Sequence, residues 1–133
     1  MTHFSLADAD DVTGLEAKAE AEYRRAVELD PDYADAFYNL GLLLQKNARY
    51  PEAVSAFREV TRLAPKNALA FNNLAIVTAQ SGDFAGSLAA FRAALKIDPN
   101  SAATHANLAR ALHVLGRENE AQKELEIARR LRP

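Results

Sequence analysis

Three stretches of the chain, AFYNLGLLLQ at 36–45, AFNNLAIVTA at 70–79 and THANLARALH at 104–113, place one short phrase at a fixed interval. The pairs Asn39-Leu40, Asn73-Leu74 and Asn107-Leu108 are 34 residues apart. Pro31, Pro65, Pro99 and Pro133 keep the same step, and so do Tyr23, Phe57, Phe91 and Leu125. A third series is small: Ala19, Ala53, Ser87 and Ala121. Gly82 and Gly116 fall in phase with Gly14, with Ala48 filling the gap. Self-similarity at this length is the mark of a stacked repeat architecture.

Within each period the apolar pattern has helical spacing. Phe37, Leu40, Gly41 and Leu44 recur at i, i+3, i+4 and i+7, and the stripe returns as Phe71, Leu74, Ala75, Thr78 and as His105, Leu108, Ala109, Leu112. A second helix follows the glycine place. Ala53, Phe57, Val60 and Leu63 form one face of it, with Arg58, Glu59 and Arg62 opposite. Pro51 suits its start, where a missing N–H costs nothing. Pro65 ends it by pushing the preceding residue out of the α region. Asp32, Asn67 and Asn100 stand just past the prolines and are candidate caps for the next helix. The first helix of a unit is apolar nearly all round, so it belongs inside; the second has one stripe and belongs outside. Small residues at positions 41, 53, 75, 109 and 121 let helix axes approach, so Ala53→Leu or Ala121→Leu should overpack the contact at about 1–3 kcal/mol.

Bulk properties narrow the function classes. A chain of 133 residues with net charge −2 suits one domain and carries no mark of a nucleic-acid binder. The lack of cysteine removes disulfides, thiolate metal sites and cysteine nucleophiles. The opening MTHFSLADADD has neither a basic n-region nor an apolar h-region, so no signal peptide and a cytoplasmic location are expected. Apolar runs are too short for membrane insertion. Charge is uneven: residues 1–33 hold nine acids against three bases, and residues 102–133 hold six bases against four acids. The histidines are His3, His105 and His113, and neither of the last two has an acidic residue at helical spacing to orient it. With no zinc-type spacing, P-loop or GxGxxG, no catalytic, metal or cofactor site is expected.

The phased residues resemble the tetratricopeptide repeat (TPR) family. Phe37, Leu40-Gly41, Leu44, Ala53, Phe57, Val60 and Pro65 stand at its signature places. The resemblance implies an all-α, right-handed superhelix of stacked helix–turn–helix hairpins. It divides one domain into full units at 34–67, 68–101 and 102–133, the second helix of a partial unit at 14–33, and a leader at 1–13. The leader, with Asp10 at a core place, is expected to be frayed or degraded. In the last unit Gln122 and Arg129 replace Val54 and Thr61, or Leu88 and Leu95, a polar face that suits a terminal repeat. His105, at a core place, reads as a packed histidine rather than a ligand.

The resemblance also implies that the inner helices line a concave groove for a segment of another protein. The groove face carries Tyr38, Asn39 and Leu42, then Leu69, Asn72, Asn73 and Ile76, then Asn107 and Arg110. A carboxamide can meet both a peptide C=O and an N–H. Helices packed about 8–10 Å apart would set one such amide against every third residue of an extended peptide rising about 3.3 Å per residue. The alternative role for these amides is to cap or cross-link helices. Leu42, Leu69, Ile76 and Tyr38 favour an apolar segment, and Arg110 an acidic group near one end. Two other readings stay open: a scaffold whose acidic leader docks on the basic end of the next copy, and an accessory TPR domain of a larger enzyme or regulator. The places matching the family's carboxylate clamp are Tyr38, Leu42, Asn73, Ala103 and Asn107, and only Asn73 fits, so recognition of a free C-terminal carboxylate by that clamp is not expected.

Overall fold

The computed structural model describes the backbone of residues 2–132 and the side chains of residues 14–132. The expectations of a frayed leader at 1–13, of Asp10 at a core place and of Pro133 as fourth in its series fall outside the described side chains. Among the described residues there are seven helices and no strand: α1 (Thr2–Leu29), α2 (Ala34–Lys46), α3 (Tyr50–Leu63), α4 (Ala68–Gln80), α5 (Phe84–Ile97), α6 (Ala102–Val114) and α7 (Glu118–Leu131). Helix α1 runs on through Gly14, while α2–α3, α4–α5 and α6–α7 form three hairpins in the order the period demands.

One turn closes every hairpin. Arg49, Asp83 and Arg117 each donate their backbone N–H to a carbonyl five residues back, on Leu44, Thr78 and Leu112, at 2.8, 3.1 and 2.9 Å. This is the Schellman arrangement, and it needs a left-handed residue just before the closing N–H. Gly82 and Gly116 supply it at φ 99 and 78°, whereas the first hairpin puts Ala48 there at φ 60°. An L side chain in that region costs about 1–2 kcal/mol. Ala48→Gly should therefore stabilise the chain by up to about 1 kcal/mol, after glycine's own entropy cost. A rise in the urea midpoint checks this.

The helix starts correct part of the cap assignment. Asn67 caps α4, its side chain accepting from the N–H of Ala70 at 3.2 Å. At α2 and α6 the cap place is Tyr33 and Ser101, not Asp32 and Asn100. All three first helices start in phase, at Ala34, Ala68 and Ala102, so Asp32 and Asn100 stand one residue too early to cap. Asp30 and Asp98 accept the N–H two residues on, from Asp32 and Asn100, in an Asx turn that precedes the cap. Ser101 then caps α6 by accepting from the N–H of Thr104.

Packing follows the two kinds of helix. Helix α4 meets α3, α5 and α6, whereas the main partners of α5 are α4 and α6 alone. The interior is not one pool. One cluster joins Leu40, Leu44, Ala53, Phe57 and Val60 to Ala70 and Val77 of α4. The other joins Ala75 of α4 to Leu88, Phe91, Leu108, Leu112 and Ala121. Phe57 fills the space under Gly41, where even a Cβ would come within 2.9 Å of its ring.

Charge fastens α1 to the first hairpin. Arg49 grips Glu52 through two nitrogens at 3.1 and 2.7 Å and reaches Glu20 of α1 at 2.5 Å. Arg24 bonds both Glu20 and Glu52, and Lys46 pairs with Glu16 at 2.9 Å. The Arg24 hydrogen bond, helped by Arg49, holds the Glu20 carboxyl below the ordinary carboxylate range. Among the described residues no helix is both long and apolar enough to cross a membrane.

Candidate functional site

The residues expected to line the groove all lie on α2, α4 and α6, the first helices of the three hairpins. The structure treats them unequally. Leu42 and Leu69 stay 40% and 58% exposed, and Asn39 is exposed beside them in the chain. Tyr38 and Asn73 are bound to one another: the amide of Asn73 donates to the Tyr38 hydroxyl at 2.8 Å. The Tyr38 ring also stands edge-on to Phe57, with centroids 5.7 Å apart. Asn72 is engaged as well, its side-chain oxygen accepting from the Thr104 hydroxyl at 3.3 Å. For Asn72 and Asn73 the cross-linking role is therefore present.

A second cross-link repeats the first one heptad along the same helices. Gln45 of α2 donates to the side-chain oxygen of Gln80 of α4 at 2.9 Å. Both pairs, 38 with 73 and 45 with 80, are 35 residues apart, the repeat period plus one. Successive first helices are thus stitched by polar side chains along the face where they meet. Neither cross-link recurs between α4 and α6: Asn72 and Asn107 take the places of Tyr38 and Asn73, and Ala79 and Val114 those of the two glutamines.

A cavity of about 380 Å³ opens there instead. Ile76, Ala79, Phe84, Phe91 and Ala111 give it apolar walls, and Gln80, Asn107 and Arg110 give it a polar rim. The structure thereby brings together Ile76, Asn107 and Arg110 of the expected groove and leaves the remaining six out of the cavity. Ala79, Phe84, Phe91 and Ala111 were not anticipated as site residues. The signal that could have found them is the phased comparison itself, in which small residues fall where the preceding unit has large ones.

The histidines have partners that helical spacing does not reveal. His105 is 7% exposed; its Nε2 donates to the Pro99 carbonyl at 2.8 Å, and its Nδ1 meets the Glu124 carboxylate at 2.6 Å. It ties the loop before α6 to α7 and is a packed residue. His113 Nδ1 lies 2.5 Å from Glu118 on the exposed side of the last hairpin. Among the described residues no group of three or more His, Asp or Glu side chains could hold a metal ion.

Stacked helical hairpins with a partly apolar, amide-bearing inner face define a helical-repeat interaction solenoid. Family models described as "Tetratricopeptide repeat" match residues 38–102 and 79–133, and one described as "TPR repeat" matches residues 17–47. The chain belongs to the tetratricopeptide repeat family, and by that membership it is a protein-interaction module. Among solved structures it is similar to a crystal structure of MamA at 23% identity and TM-score 0.83, covering 96% of this chain and 74% of that one. MamA from Desulfovibrio magneticus RS-1 is similar at 21% identity and TM-score 0.81, with 96% and 70% covered. MamA AMB-1 is similar at 25% identity and TM-score 0.81, with 90% and 70% covered. These likenesses are of fold. No curated protein sequence matches the chain.

Proposed function

We propose that the chain is a non-catalytic module that captures an extended segment of a partner protein along the face made by α2, α4 and α6. The observation that carries this reading is apolar surface left open beside amides: Leu42 and Leu69 are 40% and 58% exposed on helices whose other large side chains are mostly covered. The segment lies across the three helices with apolar side chains toward Leu42, Leu69 and Ile76. Its backbone meets the amides of Asn39 and Asn107, while Asn73, whose N–H is given to Tyr38, keeps an acceptor free. Arg110 favours an acidic residue at the α6 end. Glu16 and Glu20 of α1 pair with Lys46 and Arg49 of the same chain, which takes those two acids out of any head-to-tail joining of copies.

The test uses peptides selected on the purified domain from a displayed random library. Leu42→Glu and Asn39→Ala should weaken the selected peptides at least about tenfold, which is the loss of roughly one buried apolar side chain or hydrogen-bond set. Far-UV circular dichroism should not change. Arg58→Glu, on the exposed side of α3, should leave affinity alone. Full affinity in both face variants would place binding elsewhere.

A further inference from the structure

The cavity between α4, α5 and α6 has a counterpart one unit earlier, and that counterpart is filled. Subtracting one period takes Phe91 to Phe57, Phe84 to Tyr50, Ala79 to Gln45 and Ala111 to Val77. The aromatic floor is the same in both units. What differs is the cover. In the first unit the Tyr38 ring stands over Phe57, Gln45 is drawn across to Gln80, and Val77 is fully buried. In the second, the place of Tyr38 belongs to Asn72, whose oxygen is turned to Thr104, and the places of Gln45 and Val77 hold alanines. Three side chains have shrunk above a conserved floor, and the space they leave measures about 380 Å³. A cavity of about 150 Å³ is enough to bind benzene.

The rim adds a sign. In place of Ile76 of the previous unit stands Arg110, exposed at the mouth of the cavity. Glu118, which shares a neighbouring groove with Arg110, is held by His113. Arg110 has no ion-pair partner among the described residues. Asn107 and Gln80, the other rim residues, both carry N–H donors.

We propose that this cavity is a socket for one aromatic side chain of the partner segment, read together with an adjacent Asp or Glu side chain that pairs with Arg110. The proposal rests on the α2–α4–α6 face being the binding face, and it names the anchor. An aromatic ring entering the socket replaces the cover that Tyr38 gives Phe57, and edge-to-face contact with Phe91 or Phe84 suits it. The carboxylate stays at the rim, where a guanidinium can donate two parallel hydrogen bonds to it. A segment with an aromatic–acidic pair is thereby distinguished from one that is merely greasy.

The probe is the blocked peptide acetyl-Ala-Ala-Trp-Glu-Ala-Ala-amide, titrated into the full chain labelled with nitrogen-15 and followed by NMR. Backbone shifts should centre on Ile76, Ala79 and Ala111, and replacing Trp by Ala in the peptide should abolish them. Restoring the earlier unit's side chains with Ala79→Gln and Ala111→Val fills the socket with residues the fold already accepts one period away. That pair should weaken the Trp peptide at least about tenfold. Ala111→Val alone gives the same answer more weakly if the double variant does not fold. Arg110→Gln should leave the aromatic requirement but remove the preference for Glu over Gln. Unchanged binding in the filled variant, or shifts centred away from α4–α6, overturns the socket. Binding only by a peptide whose sole carboxylate is its C-terminus overturns the side-chain assignment. If Leu42→Glu weakens library-selected peptides while the filled variant does not, the face stands and the socket alone fails.

Discussion

Phe57→Ala is expected to cost about 3–5 kcal/mol of unfolding free energy, the largest loss of any single truncation in the first hairpin. The ring is fully buried, lies directly under Gly41 and carries the Tyr38 ring on its edge. Its removal empties a space that no neighbour can fill, because Gly41 has no side chain to swing in. Leu125 occupies the same phase three units into the pattern but is 38% exposed. Leu125→Ala should therefore cost far less. Urea titrations of both variants, followed by helical ellipticity, make the comparison; similar losses would show that phase, rather than cover, sets the contribution.

Ala53→Leu is expected to cost about 1–3 kcal/mol, and Ala121→Leu distinctly less. The two alanines share a phase, so the sequence predicts equal damage. The structure separates them. Ala53 is enclosed between α2 and α3 beside Phe57 within the first cluster. Ala121 is equally buried but also lines a groove with Ala106, Ala109 and Leu125, toward which extra methyl groups can shift. Thermal melting of the pair distinguishes the environments, and equal shifts would contradict the room beside Ala121.

Much of the architecture is legible because a single period governs it. A strict repeat fixes the helix pairs, the turns and the inner and outer roles together, and each level supports the others. Cap places are legible only when the phase is kept strictly. Asn67 belongs with Tyr33 and Ser101, whereas Asp32 and Asn100 stand one residue ahead in phase. That these amides fall on α2, α4 and α6 was also readable from phase, but not the state of their side chains. Nothing in the string Asn-Asn at 72–73 says that one side chain is held by Tyr38 and the other by Thr104. The histidine partners were hidden for a related reason. Glu124 is 19 residues from His105 and reaches it only because α7 folds back on α6. The cavity was legible in principle, since Gln45 against Ala79 and Val77 against Ala111 are plain differences between aligned units. Its existence still depended on Tyr38 having no aromatic successor at Asn72.

Helix α4 serves as a party wall. Ala70 and Val77 belong to one household and Ala75 to the other, so neither half of the interior is complete without it. Damage to α7 can stay on its own side, whereas loss of α4 evicts both at once. A ligand resting against Ile76 and Ala79 would press on that shared wall and lend rigidity to each neighbour.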